Sequence, residues 1–226
     1  MAAGGRVYEM NQSTMRAELR MRWQELHQEL LVDERFSGRL AGLFEGHQPE
    51  GYQLHSRRIL YVGKATAGEF GIPNASHEWF NVPRGSFWAF ARRLSLAVDG
   101  SCNDLSNLAW SNLCKIGVKR GNPDSVLADE IHVLAVKTLQ HEFQTLDPSL
   151  VVFVTETYLD HFVYEALNTM QGIDGFEDKE AGGLPIYFRK RKDGFPPVLW
   201  IRHPQGKPRA YTNRSLEIAV DLLTVR

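Results

Sequence analysis

The chain has 226 residues, of which 43% are hydrophobic and 23% charged, and a formal net charge of −1. Such a chain can bury a full core as one domain with an addition or as two small domains, and it has no global field to draw it to nucleic acid or membrane. Its two cysteines, Cys102 and Cys114, exclude a disulfide framework, an all-cysteine zinc site and a four-cysteine iron–sulfur cluster.

The first fourteen residues lack the apolar core of a signal peptide. No apolar run approaches the ~18 residues that span a bilayer, so the expected setting is a reducing cytoplasm. Residues 1–12, small and polar, read as disordered. From Ser13 to about Phe44, the apolar residues Met15, Leu19, Trp23, Leu26, Leu30 and Leu31 recur at helical spacing and predict one or two amphipathic helices. Residues 45–56 form a polar loop. Ile59-Leu60-Tyr61-Val62 then reads as a buried strand that stops at Gly63 and runs into a loop with a second glycine, Gly68.

Residues 71–84 are irregular, with Pro73, Pro83 and the aromatic pair Trp79-Phe80. Ser86 is positioned to cap a helix over residues 86–94, its aromatics on the buried side. Residues 108–113 read as a second strand, and residues 123–146 as a long helix broken by Pro148. The continuous β-branched run of residues 150–154 predicts a strand buried on both faces. A helix over 158–170 follows, then strands at 184–190 and 197–202, turning at Lys192-Asp193-Gly194. Thr212 or Asn213 caps a last helix that ends near Leu223. Strands alternating with helices predict an α/β fold. The expectation is a three-layer sandwich with a short, mainly parallel central sheet of about four strands, helices on both faces and an N-terminal helical extension.

Ligands of open α/β sheets bind beyond the carboxyl ends of the strands. Three such ends carry polar residues that a core does not require: Gly63 with Lys64 and Ala65; Asn112, followed by Lys115; and Arg202-His203-Pro204-Gln205. An asparagine amide offers a donor and an acceptor side by side, matching a base edge. A loop histidine can donate to a developing oxyanion or shuttle a proton. Each also has a plain reading, Asn112 as a turn cap and His203 as an organiser of its loop. From Pro185 to Arg214 basic residues outnumber a single acid, Asp193, and Lys207 and Arg209 fall near the third strand end. Phosphate contact is the functional reading of that enrichment.

In this order, Gly63, Ser111-Asn112-Leu113-Cys114-Lys115 and His203-Pro204 resemble the motifs of the uracil-DNA glycosylase superfamily. The resemblance covers roughly residues 57–226 and leaves residues 1–56 as an added segment. It implies that Gly63, Lys64, Ala65 and Asn112 contact a flipped base, with Asn112 reading its edge, and that His203 stabilises charge on the leaving base. It further implies that Phe70, Trp79 or Phe80 stacks on the base, and that Lys115, Arg202, Gln205, Lys207 and Arg209 face nucleic acid. The implied partner is single- or double-stranded DNA, bound by a monomer that uses no cofactor and no metal. The sequence departs from the family where the first motif supplies an Asp, Glu or Asn to position water: Lys64 and Ala65 stand there. Glu69 is the candidate replacement, and Glu78 a second. Two other classes stay open: a non-catalytic nucleic-acid or nucleotide-binding protein on the same scaffold, and a small-molecule hydrolase that uses His203 and Glu69.

Overall fold

Successive side chains of a strand point to opposite faces, and here both faces are apolar. Leu60 and Val62 join one core cluster while Ile59 and Tyr61 join another; Val151 and Phe153 alternate in the same way with Leu150, Val152 and Val154. A strand apolar on both sides needs a helical layer on each, and the computed structural model provides them. It describes residues 4–67, 85–102, 104–155, 159–167, 176–192 and 194–224. The helices are α1 (Gly4–Val32), α2 (Ser86–Val98), α3 (Ser125–Leu146), α4 (Asp160–Ala166) and α5 (Arg209–Thr224). The strands are β1 (Leu40–Leu43), β2 (Ile59–Ala67), β3 (Leu108–Val118), β4 (Leu150–Val154), β5 (Glu177–Ala181), β6 (Leu184–Arg189) and β7 (Val198–Ile201). Core residues of α1, α3 and α4 cover one face of the sheet, and those of α2 and α5 the other.

The fold is α/β with one mixed, seven-stranded sheet in the order β1-β3-β2-β4-β7-β6-β5. The sheet is larger and more mixed than the expected four or so mainly parallel strands, and the five strand segments read from the sequence are β2, β3, β4, β6 and β7. In the middle, β3, β2, β4 and β7 pair in parallel, whereas β1, β6 and β5 add antiparallel edges. β5 was not expected because Glu177-Asp178-Lys179-Glu180 is charged and exposed, with only the last residue, Ala181, half-buried, a composition that protects a sheet edge rather than advertising a strand. The signal that could have found it is the Gly182-Gly183 pair. Both glycines have positive φ (59° and 77°), as a two-residue type I′ hairpin requires.

The segment before residue 57 also differs from its reading. α1 begins at Gly4, ahead of Ser13, and ends at Val32; Asp33 then caps a short 3-10 turn over Glu34–Phe36. β1 follows and pairs antiparallel with the far end of β3, Leu40 facing Val118. Trp23 is buried and donates its indole N–H to Thr138 of α3 at 2.8 Å. Elsewhere the boundaries shift modestly. Asp124 caps α3 through the Leu127 N–H (3.0 Å), and α5 starts at Arg209, ahead of Thr212. Ser86 is the first residue of α2 and makes no cap, the N-cap position being Gly85. Among the described residues no helix is long and apolar enough to cross a membrane.

Candidate functional site

The first two strands run further than their sequences suggested. β2 continues through Gly63 to Ala67, and β3 through Asn112 to Val118. Gly63 and Asn112 are therefore ladder partners inside the sheet, directly across from each other. The reason is that β3 has neighbours on both sides: beyond Asn112 it goes on pairing with β2 and takes up β1.

Asn112 lies on the face that carries Trp110, Tyr61 and α2. A Cβ at Gly63 would sit 2.5 Å from Asn112 Oδ1 and 3.3 Å from the Phe87 ring. Glycine is needed there for space, not for backbone freedom. The Asn112 side chain occupies that space, with its residue only 3% exposed. Its Oδ1 accepts the Trp110 indole N–H at 3.3 Å, which fixes which end of the amide is oxygen. The amide nitrogen Nδ2 is buried and has no hydrogen-bond partner among the described residues. A buried donor left unpaired costs ~1–3 kcal/mol, so this amide is poised for an acceptor that the described chain does not provide.

Phe87 connects this amide to the third strand end. It stands in the first turn of α2, where its carbonyl accepts the Tyr61 hydroxyl at 3.0 Å. Its ring packs 4.7 Å from Tyr61 and edge-on to Trp88 at 5.1 Å. On the other side it stacks on the His203 imidazole, with centroids 5.8 Å apart and planes 16° from parallel. His203 follows β7 in a loop pinned by Tyr211, whose hydroxyl accepts the Arg202 N–H at 2.9 Å. The Gln205 N–H points at His203 Nδ1 (3.3 Å), so in the neutral ring Nδ1 is the acceptor and the proton sits on Nε2. A turn from Pro204 to Lys207, closed at 3.2 Å, has Gly206 at φ 70° and presents Gln205 to solvent.

The structure thus brings Gly63, Asn112 and His203 to one neighbourhood, with Phe87 between them. Lys64 and Ala65 continue β2 from that point, both half-buried. Gln205 and Arg209 are exposed; Arg202 and Lys207 are half-buried. Lys115 is elsewhere. It is 3% exposed, its ammonium 2.6 Å from Glu142 and 2.6 Å from the Ser111 hydroxyl, beneath the opposite helical layer. Its expected role at a nucleic-acid surface does not fit that burial: β3 continues past Asn112 and carries Lys115 into the core. Arg189, part of the basic stretch, is likewise buried, between the rings of Phe176 and Phe195. Glu69, Phe70, Glu78, Trp79 and Phe80 lie outside the described residues.

Two features were missed in the sequence. Phe87 was grouped with core aromatics, since nothing in a helix-opening Ser-Phe-Trp distinguishes a wall of a site from a core residue. Asp160, at the start of α4, has a buried Oδ1 with no hydrogen-bond partner among the described residues. Burial pushes its carboxyl up to about 7, against the pull of Arg202. A separate cavity of about 590 Å³ opens between α1, α3 and β3, lined by Arg16, Trp23, His47, Lys115, His141 and Glu142 among others. It shares Trp110 with the Asn112 neighbourhood but touches neither Asn112 nor His203. Compared with models of known protein families and with curated protein sequences, the chain matches none.

Proposed function

We propose that this protein is a DNA base N-glycosylase-like hydrolase that holds an extruded base, uracil or a modified base, against Asn112, Phe87 and His203. The observation that carries the reading is the buried Asn112 amide. Its oxygen is oriented by Trp110 and its Nδ2 donor has no partner among the described residues, beside a glycine that leaves it room. The reading takes the four parallel strands as the catalytic sheet of a three-layer sandwich and the antiparallel strands as additions. Within it, Asn112 Nδ2 donates to a carbonyl on the base edge and Phe87 offers a π-face. His203, whose Nδ1 accepts the Gln205 N–H, donates from Nε2 to the oxygen on which charge collects as the base departs. The C–N bond breaks and the base leaves with the bonding pair, water adds to the anomeric carbon, and the proton that the water sheds ends on the departed base. Extrusion is required because the bond cannot be reached inside the stack. Gln205, Lys207 and Arg209, around the Pro204–Lys207 turn, are the groups placed to meet DNA.

Release of uracil from single- and double-stranded oligonucleotides tests this directly. Wild-type protein should release base, and His203→Ala should lose roughly 10²- to 10³-fold, the size of one oxyanion donor. No release by wild type, together with unchanged DNA binding by Asn112→Ala, sinks the proposal. A second reading, a non-catalytic nucleic-acid or nucleotide-binding protein on the same scaffold, draws on Lys64 and Ala65, which put no acid or amide on β2 beyond Gly63. It predicts salt-sensitive DNA binding that Asn112→Ala weakens, with no base released.

A further inference from the structure

At the opposite end of the parallel strands, three side chains of different chemistry meet. His55 lies just ahead of β2, Asp99 follows α2, and Cys102 lies in the loop that leads to β3. One ligand atom from each, imidazole nitrogen, carboxylate oxygen and thiol sulfur, falls within 4.8 Å of the other two. His55 Nδ1 is 3.4 Å from Cys102 Sγ and 3.7 Å from Asp99 Oδ2.

We propose that His55, Asp99 and Cys102 form a zinc-type divalent metal site. A tetrahedral ion with Zn–S near 2.3 Å and Zn–N and Zn–O near 2.0–2.1 Å separates sulfur from nitrogen by about 3.5 Å and nitrogen from oxygen by about 3.3 Å. The two measured separations lie within a few tenths of an ångström of those edges. The donor set of one thiolate, one imidazole and one carboxylate suits a borderline-soft ion such as Zn²⁺ rather than Mg²⁺ or Ca²⁺.

The surroundings hold these ligands in place. Asp99 Oδ1 is taken by the Ser101 hydroxyl (2.7 Å) and N–H (3.2 Å), which leaves Oδ2 turned toward His55. The Cys102 N–H closes the Asp99–Cys102 turn on the Asp99 carbonyl at 2.9 Å, a two-residue spacer of the kind zinc-binding turns use. The buried Ser95 hydroxyl donates to Asn107 Oδ1 at 2.6 Å and lies 3.4 Å from the Cys102 carbonyl. The arrangement is not a nucleophile–base–acid relay: both partners address the same ring nitrogen, and Cys102 is only 3% exposed. The side chains of His55 and Asp99 are 23% and 22% exposed, so solvent can supply a fourth ligand. An ion here would tie the start of β2 to the α2–β3 loop, independently of the Asn112 site.

The test uses the full chain, stripped with chelator and titrated with Co²⁺ and Zn²⁺. The expected result is one equivalent bound, with sulfur-to-cobalt charge-transfer absorption and the visible bands of four-coordinate cobalt. Zinc at a hundredfold excess over its Kd should raise Tm by roughly 5–10 °C. Cys102→Ser should abolish the charge-transfer band and weaken binding at least tenfold, whereas Asp99→Asn should weaken binding but keep the band. An unchanged band in Cys102→Ser, or no stoichiometric uptake by wild type, overturns the proposal. Should Cys102→Ser fail to fold, X-ray absorption at the zinc edge of wild-type protein decides the matter. One sulfur in the first shell supports the site and a shell without sulfur refutes it.

Discussion

Lys115 offers the sharpest test of the physical reasoning, because its sequence context and its position say opposite things. A lysine three residues after Asn112 belongs on a DNA surface if the strand ends there. In the structure its side chain is 3% exposed, the ammonium 2.6 Å from a Glu142 carboxylate whose side chain is 15% exposed. Removing one partner of a buried pair strands the other charge, at a cost of ~3–5 kcal/mol. The two single variants should not cost the same. Lys115→Met leaves Glu142 beside the cavity, where water can reach it, so the low end of ~3 kcal/mol applies. Glu142→Gln leaves the more deeply buried ammonium, so the high end of ~5 kcal/mol applies.

Urea unfolding followed by tryptophan fluorescence, on both single variants and the double Lys115→Met/Glu142→Leu, measures these terms. The double variant should recover much of the loss, because an apolar replacement removes both stranded charges at once. Single costs below ~1 kcal/mol that simply add would mean an ordinary surface ion pair, and the argument from burial would fail. In the same variants, at temperatures where they stay folded, DNA affinity should not change.

Three further outcomes follow from other contacts. Gly63→Ala should cost ~1–3 kcal/mol, since a Cβ 2.5 Å from Asn112 Oδ1 must displace a buried amide, and it should weaken ligand binding along with stability; an alanine variant of full stability would show that the amide is free to move. Asp160, its carboxyl raised from 3.8 to about 7, binds its proton more tightly in the folded chain, so its contribution is intact below pH 4 and is lost as pH rises through 7. Asp160→Asn should therefore gain on wild type between pH 5 and 8, by ~1–3 kcal/mol once partial exposure is allowed for, and parallel stability profiles for the two would refute the assignment. Trp23→Phe removes the buried bond to Thr138 and should cost ~1–2 kcal/mol in a single cooperative transition; no loss would mean that residues 1–56 are a separable unit.

The parallel centre of the fold was legible because its strands carry their own signal. Ile59–Val62 and Leu150–Val154 are continuous and apolar, and helical stretches separate them. The edges were not. Glu177–Ala181 has no apolar residue apart from its last, and Leu40–Leu43 is four residues long and follows a helical pattern without a break. Strand ends were misjudged for a related reason. A glycine and an asparagine look like punctuation in a linear reading, yet across a ladder each is explained by the other. His203 was legible as a loop residue after an apolar strand. Phe87 was not, since its role depends on the imidazole that tertiary structure lays against it. The His55, Asp99 and Cys102 cluster was invisible for the same reason: 43 residues separate its first two members.

Parallel pairing explains why these particular residues share a site. In a parallel ladder, residues at the same register project to the same face, so β2 and β3 place positions 63 and 112 side by side whatever their identity. Two ordinary side chains there would fill the space beneath α2. The sequence removes one of them completely, at Gly63, and turns the other into a short amide whose oxygen is held by Trp110. The Phe87 ring then closes the space from the helix side, 3.3 Å from the position of the missing Cβ, and carries the contact on to His203. A core built for stability alone would gain nothing from a buried donor that no described residue accepts and would fill the position with an apolar side chain at lower cost. The arrangement makes physical sense if the amide nitrogen has a ligand to meet. The proposed ligand contact therefore rests on Asn112 Nδ2, whether the ligand is cleaved or only held.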